Sequence, residues 1–523
     1  MTGTRTFWWV FLKRDRWFYL WFGLGTALLY VSQGWSVDRL YTTQAEFDRA
    51  AAGMEGNAAF VAMTGPARAL NTTGGQVTWQ STAFGAIVVG LMVMFIVGRH
   101  TRAEEETGRD ELLRAAPVGR YATSTAALLD AMLASVVVGA LVSASLVAYG
   151  LVVADSVALG VGLAACGWFF AGTTLLAAQL TASTRATYGL GGAALGLAYA
   201  VRAIGDVSAP ALSWLSPIGW YQAMHAFSGL RWWPVLLLVA GAALVAAAAF
   251  AVFDRRDFAS GVLATRPGPP VAGRGLRSGL GLAWTLQRPA FSAWALGLFV
   301  FGLAFGVMGD DVGDLVGDSD LGKEMMLQGG GDVVDAFYAT MIAMLALVAC
   351  GFAISSALRP HGEEEAGRVE PLLATGLPRS RWLLGHVAIT VVGTAVVLLL
   401  CGLGLGTSYA LVTGDGAAVW RMTAGMATYL PAVLVLSGLA RFLHGVVPRA
   451  SRAAWLWLLL ASVVLLFGEV LRLPEWLQDL SPFEHLPFVP AESFTWAPFL
   501  ALSALAAALS VAGQVAFRRR DVH

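Results

Sequence analysis

The stretch FGAIVVGLMVMFIVGRHTRAEEETGRDELLR, residues 84–114, joins a long apolar run to a short acidic segment. About 20 consecutive apolar residues are needed to cross a hydrocarbon core of about 30 Å as a helix, and the run before the acidic segment is of that length. The acidic segment returns as GEEEAGRVEPLL at residues 362–373, again after an apolar run. This double pattern predicts a helical membrane protein that contains an internal repeat.

The composition indicates the same class of protein. The 523 residues are 57% hydrophobic and 13% charged, whereas soluble domains carry about 25% charged residues. The formal net charge is zero, so nothing in the bulk charge predicts a nucleic-acid partner. Cys166, Cys350 and Cys401 each lie in an apolar run, and we expect them to be packing residues rather than disulfide partners or metal ligands.

Hydropathy predicts an all-α polytopic protein with about twelve membrane-spanning helices. The N-terminal stretch TFWWVFLKRDRW mixes basic and aromatic residues, which favours a helix lying at the membrane interface over a cleavable signal peptide. The predicted spans lie near residues 17–34, 82–99, 123–149, 157–182, 186–204, 233–253, 290–308, 336–357, 383–411, 418–440, 453–471 and 496–516.

The distribution of basic residues predicts the orientation in the membrane. With twelve spans both termini lie on one side, and that side holds 26 of the 34 Lys and Arg residues. Because basic residues concentrate in cytoplasmic loops, we expect both termini to be cytoplasmic. The opposite side carries the outer loop 309–335, which has eight acidic residues and one lysine.

Several motifs recur in the same order, which predicts a duplicated six-helix unit. The acidic motif at Glu104 recurs at Glu363, and the Leu-Ser-Pro motif that begins at Leu215 recurs at Leu480. FDRRD, residues 253–257, recurs as FRRRD, residues 517–521, and GGQVTW at Gly74 recurs more weakly as GGDVVD at Gly330. Since six is an even number, the two copies are expected to have the same orientation, as parallel repeats.

The repeat divides the chain into domains. We predict a first six-helix domain with its N-terminal interfacial helix, a Pro/Gly/Arg-rich cytoplasmic linker and a second six-helix domain. These comprise residues 1–254, 255–283 and 284–523.

The acidic motif admits a structural and a functional interpretation. Glutamates suit the N-terminal turn of a short helix, where the helix dipole stabilises negative charge, so each copy could be a solvated connector. That interpretation does not explain why the glutamate triplet, Gly-Arg and the last glutamate return together. A pair of docking elements for a partner with two identical surfaces explains it better.

EEETGRDELLRAAPVGR and EEEAGRVEPLLATGLPRSR resemble the cytoplasmic segment after the second helix of type-2 ABC exporter permeases. The tandem arrangement is similar to that of actinobacterial polyketide-antibiotic (tetronasin-type) exporter subunits, which implies a multi-pass protein of a bacterial plasma membrane. The resemblance implies a coupling helix that docks on an ATP-binding subunit. The residues it assigns to docking are Glu104, Glu105, Glu106, Gly108, Arg109 and Glu111 in the first copy, and Glu363, Glu364, Glu365, Gly367, Arg368 and Glu370 in the second.

The same resemblance implies the partners and the cargo. Two copies of a separate ATP-binding subunit would bind ATP and Mg²⁺, and this chain would hold no cofactor and catalyse no reaction by itself. The cargo would be hydrophobic compounds such as antibiotics, drugs or lipid-like molecules. In the second copy Pro371 replaces Leu112, so the two docking sites are not expected to be equivalent in detail.

Polar groups inside the predicted spans are candidates for the transport pathway. Asp130 lies within the third span, and its positional counterpart in the second copy lies near His386. A charge at membrane depth usually faces a cavity or a partner group, so substrate or proton contact and structural pairing both stay open. The outer segments 206–233 and 473–495 are predicted to be interfacial or re-entrant.

Two other classes of function are less well supported. A secondary transporter of the major-facilitator kind also has twelve spans, but it would carry a Gly-x-x-x-Asp-Arg-type loop and more buried titratable groups. A membrane-embedded transferase would need clustered acids or histidines, whereas the seven histidines are scattered. GDSDLGKE in the outer loop imitates a P-loop, but Glu324 replaces the Ser or Thr that would bind magnesium, so the match is rejected.

Overall fold

The computed structural model shows a helical protein, in agreement with the predicted fold class. It describes residues 2–41, 43–54, 58–108, 117–256, 261–263, 270–307, 333–468 and 473–520. Within these ranges every regular element is a helix. The chain divides into two compact units, Met1–Pro267 and Gly268–His523. The predicted P-loop imitation in the loop 309–335 lies outside the described residues.

The first unit contains long apolar helices joined by short ones. Its helices are α1 (Thr4–Leu40), α2 (Gln44–Met54), α3 (Ala58–Thr64), α4 (Thr73–His100), α5 (Arg102–Glu106), α6 (Ala122–Tyr149), α7 (Val153–Leu180), α8 (Thr184–Ser208), α9 (Pro210–Ser213), α10 (Pro217–Gln222) and α11 (Pro234–Arg255).

Helix α1 runs unbroken over 37 residues, so the predicted interfacial stretch and the predicted first span form one element. Near its start Phe11 packs with Ala126 and Ala127 of α6. Near its end the Asp38 carboxylate accepts a hydrogen bond from the Tyr149 hydroxyl, at the last residue of α6. Helix α1 therefore packs along α6 from near its start to its last residue.

The second unit contains α12 (Gly279–Gly306), α13 (Val333–Ala357), α14 (Arg359–Glu365), α15 (Val369–Ala374), α16 (Arg379–Thr413), α17 (Ala418–Thr428), α18 (Leu430–Val446), α19 (Ala454–Phe467), α20 (Glu475–Gln478) and α21 (Trp496–Arg519). The predicted span 418–440 is interrupted at Tyr429, between α17 and α18. Pro431 stands at the start of α18, where its missing N–H costs no helical hydrogen bond.

Among the described residues, eleven helical segments are long and apolar enough to cross a membrane. They indicate a multi-pass membrane protein. The prediction was twelve spans, and the difference is the span near residues 17–34, because α1 is not among the eleven segments. The eleven segments are 73–106, 122–149, 153–180, 184–208, 234–255, 279–306, 334–365, 379–413, 418–446, 448–466 and 496–519.

Glycine lets some of these helices approach at backbone distance. A Cβ atom on Gly302 of α12 would lie 2.3 Å from the carbonyl oxygen of Cys401 of α16, and one on Gly306 would lie 2.1 Å from that of Leu405. Small residues are enriched at helix contacts in membranes because dispersion forces there replace the hydrophobic effect. The α12–α16 contact therefore depends on residues without side chains.

The repeated Leu-Ser-Pro motif begins a short helix in the first unit. The Ser216 hydroxyl accepts a hydrogen bond from the Ile218 backbone N–H, and Pro217 is the first residue of α10. Serine before proline is a favoured helix start. Ile218 and Tyr221 are buried, and the Tyr221 hydroxyl donates to the Leu159 carbonyl of α7. This segment, predicted to be interfacial or re-entrant, is therefore packed into the helix bundle.

Candidate docking sites at the acidic segments

Each acidic segment begins as a short helix directly after a long one. In the first unit Thr101 breaks the helix between α4 and α5, and Gly108 follows α5 with φ +73°. In the second unit α14 follows α13, and Gly367 has φ +67°. A left-handed conformation after a helix favours glycine, which explains why the motif repeats this residue.

The middle glutamate of the first triplet is bound inside the unit. Glu105 accepts hydrogen bonds from Arg256, at 3.1 Å for one pair of atoms, and from Arg102 at 2.7 Å. The Arg102 Nε atom also donates to the carbonyl of Ala178, at the end of α7, over 3.1 Å. All three ionic side chains are at most 8% exposed. Glu105 therefore joins α5 to the end of the last helix.

The middle glutamate of the second triplet has the corresponding partner. The Arg520 guanidinium donates to Glu364, and the His444 Nε2 atom lies 3.6 Å from the same carboxylate oxygen. Arg256 belongs to the FDRRD motif and Arg520 to the FRRRD motif. In each unit the acidic motif thus contacts the arginine-rich motif. The contact links the acidic segment to the residue just after the last long helix, which is α11 in the first unit and α21 in the second.

The first glutamate of each triplet is also paired. Glu104 accepts from Arg14 of α1 at 2.9 Å. Glu363 accepts from Arg368 at 2.7 Å and lies 2.6 Å from Arg359. The hydrogen bond to Glu363 raises the pKa of Arg368 above its usual value. The first glutamate therefore pairs with an arginine of α1 in the first unit. In the second unit it pairs with two arginines that are close to it in the sequence.

The third glutamate of each triplet contacts a residue at the start of a long helix or just before it. Glu106 accepts from the backbone N–H of Thr184 at 2.9 Å and from its hydroxyl at 2.6 Å, at the first turn of α8. Glu365 accepts from Arg452 at 2.9 and 2.8 Å, just before α19. An acidic side chain at a helix N-terminus satisfies unpaired N–H groups and complements the helix dipole.

The predicted docking residues differ in exposure. Glu105, Glu363 and Glu364 are largely buried in intramolecular ion pairs. Glu104 is partly buried beside Arg14. The predicted residues that are exposed to solvent are Glu106, Gly108, Glu365, Gly367, Arg368 and Glu370, and Thr107 and Ala366 beside them are exposed as well. Arg109 and Glu111 lie outside the described residues.

Helix α15 gives the second acidic segment a defined surface. Val369 is buried in a cluster with Trp382 and with Phe517 of the FRRRD motif. Glu370 and Pro371 on the same helix are exposed. One side of α15 is thus attached to the end of α21, and the other faces solvent.

The two candidate pathway residues lie in different polar environments. His386 Nδ1 is 3.1 Å from Gln287 Nε2, in a buried network that also contains Ser356 and Thr390. Asp130 is fully buried near the Tyr19 hydroxyl, and neither of its carboxylate oxygens makes a hydrogen bond of ordinary geometry. Neither residue lines a described cavity.

Sequence reasoning missed most of the residues that bind the glutamates. Arg14, Arg102 and Arg452 belong to no repeated motif, and His444 lies in an apolar run. The arginines Arg256 and Arg520 could have been found, because their motifs repeat at nearly the same offset as the acidic motif.

The fold and these junctions define a two-unit, multi-pass α-helical membrane protein whose acidic segments are tied to the last helix of each unit. The comparisons with known proteins give the family. The family described as "Multidrug efflux system permease Rv1217c, C-terminal domain" matches residues 276–518. The multidrug efflux system permease protein Rv1217c of Mycobacterium tuberculosis is 38% identical over 530 residues, covering 100% of this chain and 95% of the relative. The chain belongs to this permease family.

Proposed function

We propose that the chain is the membrane-spanning permease subunit of an ATP-binding cassette exporter. It moves hydrophobic compounds such as antibiotics, drugs or lipid-like molecules out of the cytoplasm. The observation that carries this proposal is the similarity over the full chain to a relative named a multidrug efflux system permease. The comparisons give no support to a secondary transporter of the major-facilitator kind.

In this proposal separate subunits bind ATP and Mg²⁺ and hydrolyse the ATP. Two copies dock on the acidic segments 104–111 and 363–370, on the cytoplasmic side where both termini lie. The solvent-exposed residues Thr107, Gly108, Arg368 and Glu370 form part of the docking surface, and Gly367 shapes the turn that presents it.

The buried glutamates then carry movement from the docking surface into the membrane. Glu105 and Glu364 hold the acidic segments to Arg256 and Arg520 at the ends of α11 and α21. A partner subunit that closes on ATP binding can change the conformation of this chain only through contacts that differ between the two conformations of the chain. Displacement of an acidic segment would pull directly on the last helix of its unit.

Accumulation of hydrophobic dyes and drugs in a strain lacking the chain tests export. We expect the deletion strain to accumulate several hydrophobic compounds, and we expect the wild-type chain to restore efflux. The variant Arg256→Gln should restore less efflux than Arg255→Gln at equal membrane abundance. Unchanged accumulation of every compound in the deletion strain would contradict the proposal.

A further inference from the structure

A second polar cluster lies in the first unit, close to α5. Asp15 of α1, His100 at the end of α4 and Asp130 of α6 each offer one ligand atom, and these atoms lie within 4.8 Å of one another. The three residues are 0%, 1% and 0% exposed. Because three separate helices supply them, the cluster exists only in the packed bundle.

The cluster contains several buried atoms without hydrogen-bond partners. They are both carboxylate oxygens of Asp130, Oδ1 of Asp15 and Nδ1 of His100. His100 Nε2 lies 2.7 Å from Asp15 Oδ2. The Tyr19 hydroxyl is near Asp130 but makes no hydrogen bond of ordinary geometry. Buried carboxylates without partners are costly and rare, so these unpaired atoms call for an explanation.

The charges in the cluster favour a cation. Two carboxylates face one guanidinium, that of Arg99, whose Nη2 lies 2.7 Å from Asp15 Oδ2. The Arg99 side chain is 32% exposed, whereas Asp15 is fully buried. The nearby Arg14 is bound to Glu104 at 2.9 Å. Negative charge therefore exceeds positive charge around Asp130.

The counterpart in the second unit serves as an internal comparison. There the buried side chains of Gln287, Ser356, His386 and Thr390 form a hydrogen-bond network without a carboxylate. Ser356 donates to Gln287 and lies 2.8 Å from the Thr390 hydroxyl. The carboxylate nearest in effect is Glu363, which acts on His386 electrostatically and is itself paired with Arg359 and Arg368. The network in the second unit is thus neutral, whereas the cluster in the first unit contains two carboxylates.

We propose that Asp15, His100 and Asp130 bind one divalent transition-metal cation of the zinc type. A proton on Asp130 would remove one charge, but it would leave Asp15 Oδ1 and His100 Nδ1 without partners. A cation satisfies all three side chains together. Two carboxylates and one imidazole are ligands that Zn²⁺, Co²⁺ and Mn²⁺ accept, at about 2.0–2.2 Å for Zn²⁺, so binding draws the three helices together.

The position of the site gives the cation a structural consequence. His100 is the last residue of α4, and Arg102 begins α5. A bound cation fixes α4 against α1 and α6 immediately before the acidic segment. The protein is therefore stabilised by the cation, because the unfolded chain does not bring these ligands together. Binding itself does not depend on the proposed transport function.

Cation binding to the purified full chain tests the proposal. The detergent-solubilised protein is stripped with EDTA and titrated with Co²⁺, whose absorption bands report coordination, and Zn²⁺ then competes for the site. We expect one cation per chain in this site and a higher melting temperature with Zn²⁺. Asp130→Asn and Asp15→Asn should each weaken affinity more than about 100-fold, beyond the usual effect of groups that only support the ligands. His386→Gln, in the neutral network, is the matched control.

Two results would overturn the proposal. If the wild-type chain binds no cation, a proton neutralises Asp130. If binding survives Asp130→Asn but is lost in His444→Ala, the cation lies instead at the group formed by His361, Glu364 and His444, where Arg520 opposes a positive charge. Should Asp130→Asn fail to purify as a folded protein, His100→Gln provides the same comparison.

Discussion

Arg256 binds Glu105 across 151 residues of sequence, through side chains that are 4% and 8% exposed. The second unit repeats the relationship with Arg520 and Glu364. In both units the ion pair connects the acidic segment to the end of the last long helix. The acidic triplet is therefore part of the internal structure of each unit as well as the start of its proposed docking surface.

Loss of the Arg256 charge is expected to destabilise the first unit. Arg256→Gln leaves Glu105 with Arg102 as its remaining ionic partner, and removing one member of a buried pair typically costs about 3 kcal/mol. Thermal unfolding of the purified protein in detergent measures the effect. Arg255→Gln is the matched control, because Arg255 is the exposed neighbour of Arg256. Equal melting temperatures for the two variants would show that the Glu105–Arg256 pair does not stabilise the unit.

Glycine at the α12–α16 contact gives a second prediction. Gly302→Ala places a methyl group 2.3 Å from the Cys401 carbonyl, which forces the two backbones apart. Overpacking of this kind costs about 1–3 kcal/mol. Gly297→Ala on the same helix is the control, because a Cβ there meets no atom within 4 Å. Thermal unfolding should separate the two variants, and an unchanged Gly302→Ala protein would mean that the helices are not in backbone contact.

Docking is best tested with an exposed residue rather than with the paired glutamates. Reversal of the charges at Glu105 or Glu364 would break intramolecular ion pairs, so loss of a partner could follow from misfolding. Glu370→Arg changes the solvent-facing side of α15 and should reduce co-purification of the ATP-binding subunit by about tenfold, equivalent to about 1.4 kcal/mol. The control is Glu475→Arg, on an exposed helix elsewhere in the second unit.

A co-purification yield that is the same for Glu370→Arg and wild type would place docking elsewhere. An equal loss in Glu475→Arg would point to a general effect of charge rather than to a docking surface. Melting temperatures close to that of the wild type are expected for both variants, because neither residue has a described ion-pair partner in the structure.

His225 predicts a pH dependence of stability in the first unit. Burial, together with the nearby positive charges of Arg68 and Arg231, lowers the pKa of His225 from 6.5 to about 4. The unfolded chain therefore binds more protons below pH 6.5, so stability should fall as pH decreases from 6.5 toward 4. We expect a loss of about 1 kcal/mol, less than the full shift would give, because part of the ring is exposed.

His225→Asn is the variant that tests this pH dependence. The residue has φ +52°, a conformation that asparagine tolerates better than most residues. Unfolding of the variant should depend less on pH between 6.5 and 4 than unfolding of the wild type. Parallel pH profiles for the two proteins would show that His225 is not the group responsible.

Much of the fold could be predicted from the sequence because membrane spans are local features. The apolar runs near 123–149 and 496–516 nearly match α6 and α21. The sequence did not predict that α1 is one continuous helix, because the charged residues 13–16 suggested a separate interfacial helix. In the structure Arg14 and Asp15 of this group bind partners within the same helix bundle. The break at Tyr429 carries no hydropathy signal.

The candidate sites were predictable only in part. Repetition located the acidic segments, but burial of Glu105 and Glu364 depends on partners more than 150 residues away. The cluster of Asp15, His100 and Asp130 joins three helices, and no spacing rule connects its members. Asp130 was recognised because a charge in an apolar run is conspicuous, and Asp15 was not, because it lies among other charged residues.

Transport by the purified chain reconstituted in liposomes with its ATP-binding subunit tests the central claim most directly. We expect movement of a hydrophobic fluorescent compound that requires Mg²⁺ and ATP on the side of the acidic segments and that vanadate blocks, with two ATP-binding subunits per chain. Transport at the full rate by this chain alone, without ATP or any ATPase, would contradict the claim.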